Sequence, residues 1–235
     1  LHSLRRRQRQ MCIRDRTTII EKELKDNGVT VITGANIQSF EGQDKVTAVK
    51  TNNNNYPTDL VIQAVGVQPN TSWLDGVVAL DNRGWIKTDE YLRTNVSDVY
   101  AVGDAVLSYS IPAQTKLPIA LASVVRRQVR YVITHLFENQ PALPFNGVVG
   151  SSALSVFNYK FATAGLNTTT AEKANVTLRS AYYQDQLRPN YVPKSKGNCD
   201  VYVTLDYEPQ THRLLGGAVL STYDITDQGN VIPLA

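Results

Sequence analysis

Residues 117–138, LPIALASVVRRQVRYVITHLFE, divide this chain into two kinds of sequence. Leu121, Val125, Val129, Val132, Ile133 and Leu136 recur at helical spacing, so the stretch reads as one long amphipathic helix with those residues as its buried stripe. Pro118 suits the first turn, and Pro141 and Pro144 prevent continuation. Upstream, helical and strand patterns alternate; downstream, short strand patterns dominate. That order predicts an α/β part followed by an α+β part with a mostly antiparallel sheet.

The upstream pattern is specific in places. Residues 17–27 have helical spacing at Ile20 and Leu24, with Gly28 as C-cap. Residues 29–33 (VTVIT) alternate and are β-branched, so they predict a strand, as do residues 45–51. The asparagine-rich 52–57 predicts a turn. Residues 59–66 (DLVIQAVG) predict a third strand, apolar enough to be covered on both faces. Residues 81–84 (DNRG) read as a turn, and residues 99–102 as a short buried strand. From Phe145 on, strands are expected at 154–165, 178–186, 199–207 and 213–222, with a helix at 168–175.

Composition removes some functions. The chain is 42% hydrophobic and 19% charged, ordinary for a soluble globular protein. No apolar run approaches the ~18 residues of a membrane span. Cys12 and Cys199 have no zinc-like or CxxC spacing, so no metal site is expected, and a reducing, cytoplasmic setting is the easier reading. The net charge is +3, but residues 1–16 carry six Arg and one Asp, a net +5, which leaves −2 for the other 219 residues. That leader fits a nucleic-acid or membrane arm, a transit peptide, or an extraneous leader joined by accident. The last is the reading adopted, because the stretch resembles translated adaptor sequence; separately, the slightly acidic body argues against a nucleic-acid partner.

One carboxylate needs explaining. Asp104 closes the apolar stretch VYAV-Gly103, and an ionised side chain is costly to bury without hydrogen-bond donors. A strand's carboxyl end in an α/β sheet is a ligand position, Gly103 lets backbone approach a ligand, and Asp104 would accept bonds from sugar or ribityl hydroxyls. The following helix offers free N–H groups at its start. Asp104 as a helix N-cap or turn residue explains the same pattern equally well.

More than this triad is present. AVGVQPNTSWL (64–74), GWIKTDEYLRTNVSDVYAVGDA (84–105), PIALASVVRRQVRY (118–131), GSSALSVFNYKFATAGLN (150–167) and YEPQTHRLLGGAVLS (207–221) occur in that order. Together they resemble the flavin-dependent pyridine nucleotide–disulfide oxidoreductases, within them the NADH peroxidase, NADH oxidase and coenzyme A–disulfide reductase branch. FNYKFATAGLN and IKTDEYLRT…DVYAVGDA are most similar to NADH peroxidase. The resemblance implies the C-terminal half of a Rossmann-like NAD-binding domain at 17–67, the returning segment of an FAD-binding domain at 68–138, and a mixed-sheet interface domain from 141 to 235 that forms a homodimer or tetramer.

Site residues follow from the same resemblance. Gly103 and Asp104 match positions beside the ribityl chain of FAD, and Ala122 matches a backbone contact to the flavin. Gly66 and Ala120 match positions near NAD. Ala153 stands where close relatives have Gly, which puts that NAD contact in doubt. Arg126 matches an Arg that supports a catalytic His absent from this chain; a surface Arg on an amphipathic helix is its plain alternative, as for Arg127 and Arg130. Tyr159 matches a Tyr reaching toward a partner's active site, or packs within the sheet. Cys199 opens a strand in the interface domain and is no substitute for the redox Cys; His2, His135 and His212 show no triad spacing.

The expected activity is that of an FAD enzyme taking hydride from NADH and reducing hydrogen peroxide through a cysteine sulfenic acid. Water-forming oxidation by dioxygen and reduction of coenzyme A disulfide are the alternatives, and a bare dimerisation module is the alternative of another class. The FAD fingerprint, catalytic His and redox Cys of the family are not in these 235 residues, nor is the segment that closes the interface domain. The chain alone is therefore expected to be a fragment without turnover.

Overall fold

The computed structural model describes residues 17–138 and 141–223. They form two compact units, one of residues 24–68 and one of the remaining described residues. The Arg-rich leader, 1–16, lies outside the described residues.

Helix α1 spans residues 17–26. Its end is a Schellman turn: the Val29 N–H donates to the Leu24 carbonyl (2.9 Å) and the Gly28 N–H to the Lys25 carbonyl (3.0 Å). Gly28 adopts the required left-handed backbone, φ 80°.

The smaller unit is an antiparallel sheet of β1 (Ile37–Glu41), β2 (Ala48–Thr51) and β3 (Asn55–Pro57), in that order. The Asn tract makes the β2–β3 turn and ties it down. Thr51 Oγ1 accepts the Asn53 and Asn54 N–H groups at 3.3 and 3.1 Å. The Asn52 side-chain oxygen accepts the Asn36 N–H at 3.1 Å, and Asn55 donates to the Glu41 carboxylate at 2.9 Å.

Here the sequence reading is corrected. Residues 29–33 and 59–66 are in no strand, the strand expected from Lys45 begins at Ala48, and the end of the expected turn is β3. β1 was not anticipated. β-branched composition confers only a capacity to pair; a strand exists where a neighbour supplies the backbone hydrogen bonds. No described strand pairs with 59–66, and Leu60, Ile62 and Val65 stay 74%, 82% and 83% exposed.

In the larger unit, Val78, Ile86, Ala101 and Val106 form one apolar core. Single β-bridges, Leu80 to Ile86 and Ile86 to Val106, hold its segments side by side. The expected turn at 81–84 is there: the Asp81 carboxylate accepts the Arg83 and Trp85 N–H groups at 2.8 and 2.9 Å. The expected buried strand at 99–102 shrinks to one bridge, Arg93 to Tyr100; Ala101 is buried but Val99 is exposed. Its partner stretch turns at 95–98, which leaves room for little more than that pair.

The hairpin of β4 (Ser108–Ser110) and β5 (Thr115–Leu117) leads into α2 (Ala122–His135). The helix is shorter than expected because Leu117 belongs to β5 and Pro118 to the link. Its inner face is also different. Val124, Gln128 and Val132 are buried, whereas Val129 and Ile133, assigned to the buried stripe, are 41% and 64% exposed. Gln128 turns inward because polar partners wait for it there, as described below.

Beyond residue 141 lies a five-stranded antiparallel sheet. It comprises β6 (Ser151–Val156), β7 (Tyr159–Gly165), β8 (Arg179–Gln186), β9 (Asp200–Tyr207) and β10 (Leu214–Ser221), in the order β6-β7-β10-β9-β8. Helix α3 (Thr168–Lys173) opens with a capping box in which the Asn167 side chain accepts the Thr170 N–H and the Thr170 hydroxyl accepts the Asn167 N–H. Leu166, Ala171, Leu215 and Ala113 pack together beneath it. The fold is mixed α/β throughout. Among the described residues, no helix is long and apolar enough to cross a membrane.

Candidate functional site

The site is built where two local structures meet. A single 3-10 turn, Gly103–Ala105, follows the 99–102 segment. Gly103 sits at φ 77°, a left-handed conformation that glycine adopts without the cost an L side chain pays, and a Cβ there would face Val125 of α2. This geometry leaves Asp104 exposed, with no hydrogen-bond partner among the described residues.

Helix α2 supplies the second half. Its N-cap is Leu121, whose side chain accepts no hydrogen bond. The Leu121 carbonyl takes the N–H groups of Val124 and Val125, at 2.9 and 3.1 Å. The N–H groups of Ala122 and Ser123 have no protein acceptor among the described residues. They are the free donors of a 14-residue helix and carry the positive end of its dipole.

The turn and the helix enclose an open cleft of about 950 Å³. Gly103, Asp104, Ala122 and Arg126 all line it, with Val125 and Val129 as an apolar wall. Arg126 is exposed and has no ion-pair partner among the described residues. The cleft thus offers an anionic acceptor, Asp104, the free amide of Ala122, the guanidinium groups of Arg126 and Arg130, and an apolar surface. That set can accept hydrogen bonds from hydroxyl groups, donate to an electron-rich oxygen and cover apolar ligand surface.

Other expected residues lie outside this lining. Ala120 is exposed just before α2. Ala153 is exposed on β6, opposite Ala162 of β7. Gly66 belongs to the smaller unit, at φ 98°. Tyr159 is half-buried on β7; burial first, and then the negative charge of Glu23, raise its phenol above the ordinary value. Cys199 Sγ lies 3.3 Å from Ser221 Oγ at the edge of β9. His135 Nδ1 lies 2.8 Å from the Tyr131 carbonyl, and His212 packs against Tyr207. Cys12 and His2 lie outside the described residues.

Sequence reasoning missed Gln128. It is fully buried in the middle of α2. Its side-chain oxygen accepts the Gly103 N–H at 2.8 Å, and its amide donates to Ser108 Oγ at 3.0 Å. A Gln on the inner face between Val124 and Val132 was the available signal.

Comparison with known proteins identifies relatives of this chain. The pyridine nucleotide-disulphide oxidoreductase family matches residues 2–128. An NADH oxidase of Enterococcus faecalis is 35% identical over 221 residues, 93% of this chain and 48% of that protein. The water-forming NADH oxidase of Lactobacillus brevis, solved with NADH bound, superposes with a TM-score of 0.83 at 32% identity, over 93% of this chain and 47% of that one. An FAD-dependent pyridine nucleotide-disulphide oxidoreductase of Desulfovibrio vulgaris gives 0.73 at 29% identity, over 93% of this chain and 51% of that one. The chain therefore spans about half the length of the relatives it matches. The match across more than half of its residues makes this chain a member of the pyridine nucleotide-disulphide oxidoreductase family.

Proposed function

We propose that the protein containing this chain is an FAD-dependent NADH oxidoreductase, and that its electron acceptor is dioxygen. The observation that carries the reading is the convergence of Gly103, Asp104, Ala122 and Arg126 on one cleft. The names of the E. faecalis and L. brevis relatives support the acceptor. A second reading, hydrogen peroxide as acceptor, rests on the likeness of FNYKFATAGLN and DVYAVGDA to NADH peroxidase and on the unpaired Arg126.

The residues present fit the flavin. Asp104 is an unpaired carboxylate suited to accepting ribityl hydroxyls, each charge-assisted bond contributing roughly 1.5–3 kcal/mol. The Ala122 and Ser123 amides would face an electron-rich oxygen of the ring, where the helix dipole favours negative charge. Val125 and Val129 provide the apolar surface. When bound, the flavin supplies hydride acceptance from NADH and electron delivery to the acceptor. Ala120 is proposed on the nicotinamide side, Gly66 and Ala153 each as an NAD contact of its own unit, and Arg126 as support for a proton-handling group near the acceptor. The five-stranded sheet is proposed to join two copies of the whole protein.

The test uses the full-length protein. A bound flavin spectrum together with NADH-dependent oxygen uptake is expected. Consumption of twice as much NADH as dioxygen marks reduction to water, and equal amounts mark release of peroxide. Turnover with peroxide under anaerobic conditions, and none with dioxygen, would favour the peroxidase reading instead. A protein that retains no flavin would refute both.

A further inference from the structure

We infer that Gln128 is a positioning residue: it sets the Gly103–Asp104 turn against the start of α2, so that the carboxylate and the helix amides address one ligand. The inference rests on the flavin reading for the identity of that ligand, but not for its geometry. Asp104 has no partner among the described residues, so no side-chain bond holds it. Its position is inherited from the backbone of the turn. The turn in turn is tied to the helix through the Gly103 N–H, which donates to the Gln128 side-chain oxygen at 2.8 Å.

Both ends of the Gln128 amide are used. The other end donates to Ser108 Oγ at 3.0 Å, and Ser108 opens β4. Through its hairpin with β5, β4 leads directly to the N-terminus of α2. One buried amide therefore joins the turn, the hairpin and the helix. Gln128 has no measurable exposure and Ser108 only 2%, so water does not compete for the Gln128–Ser108 bond, and the bond to Gly103 is part-buried. A helix interior gives no other reason for a fully buried Gln, because desolvating an amide is unfavourable unless both of its ends are satisfied. Without the bond, the Gly103 N–H would be left unpaired and the turn would be free to swing with Asp104 on it.

The experiment has two arms. In the first, the chain is studied by hydrogen exchange, wild type against Gln128→Met, an apolar residue of similar length. Exchange at 103–106 should accelerate by roughly tenfold, the ratio expected for losing about one buried hydrogen bond, while β9 and β10 stay unchanged. If Gln128→Met does not fold, Ser108→Ala, which removes one end of the link, should give a smaller acceleration at the same residues. Unchanged exchange at 103–106 overturns the inference.

In the second arm, flavin dissociation constants of the full-length protein are compared for Gln128→Met, Asp104→Ala and the pair. If Gln128 acts through Asp104, the double variant binds flavin no worse than Asp104→Ala alone. A merely structural role leaves the losses additive, and additivity overturns the inference while sparing the cofactor reading. Absence of flavin from the wild-type protein overturns both.

Discussion

Replacing Gly103 by Ala separates backbone strain from steric conflict. The residue sits at φ 77°, where an L side chain is disfavoured. Placing a non-glycine residue there costs roughly 1–2 kcal/mol. Space is not the problem: a Cβ would lie 3.5 Å from Val125 Cγ1 and Cγ2, an ordinary contact. The whole expected loss is therefore about 1–2 kcal/mol, or roughly 2–8 °C in melting temperature for a domain of this size. Gly216→Ala is the opposite case. Gly216 is not in a left-handed conformation, but a Cβ would lie 2.1 Å from the Leu166 carbonyl oxygen and 2.7 Å from its nitrogen. Both atoms are backbone, and the Leu166 N–H already donates to the Leu215 carbonyl at 2.9 Å. Relief requires parting β10 from the 164–166 segment and weakening that bond. Overpacking and a compromised buried hydrogen bond together cost roughly 3 kcal/mol or more. Thermal unfolding followed by far-ultraviolet circular dichroism compares the two. A Gly103→Ala loss equal to or larger than that of Gly216→Ala would refute the assignment of strain to one and collision to the other.

Three further outcomes are expected. Asp104→Ala should leave the melting temperature of the chain within about 1 °C, since exposed residues without partners contribute little to stability, yet raise the flavin dissociation constant of the full-length protein by roughly tenfold or more; equal flavin retention after dialysis would count against the role. The Tyr131 phenol is held above its usual value of 10.0, first by burial and then by the charge of Tyr91, and its hydroxyl donates to the Leu143 carbonyl at 2.7 Å. Because the folded state binds this proton more tightly, its stabilising contribution is complete below pH 10 and is lost as pH rises through the folded value; Tyr131→Phe should remove that part of the alkaline loss in unfolding curves taken above pH 10. Asn167→Ala breaks the capping box of α3 and should cost about 1 kcal/mol, read as a shift in urea midpoint without a change in slope.

What the sequence disclosed follows from how local each interaction is. The strands β8 to β10 were legible because a near neighbour pairs each of them, and alternation such as DVYVTLDY shows directly which residues face the same way; residues 154–165, read as one strand, instead turn at 157–158 and belong to the hairpin of β6 and β7. α3 was legible from the composition of residues 168–175, although its cap, Asn167, was not singled out. Residues 29–33 and 59–66 have equally strand-like composition, but pairing is not a property of a segment alone. The face of α2 failed for the same reason. Apolar spacing favoured Val129 and Ile133 as its core, whereas burial of Gln128 depends on Gly103 and Ser108, which are 25 and 20 residues away in the chain. Gly103, Asp104, Ala122 and Arg126 were each identifiable singly; that they line one cleft required the helix and the turn to be placed together.

Stability and ligand recognition are carried by different residues in this chain. Gly216, Leu166 and Leu220 are locked into the sheet, with Leu220 entirely buried, and nothing about them faces the cleft. Asp104 and Arg126 are exposed and unpaired among the described residues, so the fold gains nothing evident from their charges. Such groups are free to satisfy a ligand, because no internal bond has to be broken first. The same freedom is a weakness in precision, since an unpaired side chain is only as well placed as its backbone. The buried Gln128 amide resolves that conflict: it fixes the turn from behind, through the Gly103 N–H, and leaves the carboxylate in front uncommitted. Substitutions in the sheet should therefore change abundance and melting together, those at Asp104 should change binding alone, and Gln128 is the position where the two effects meet.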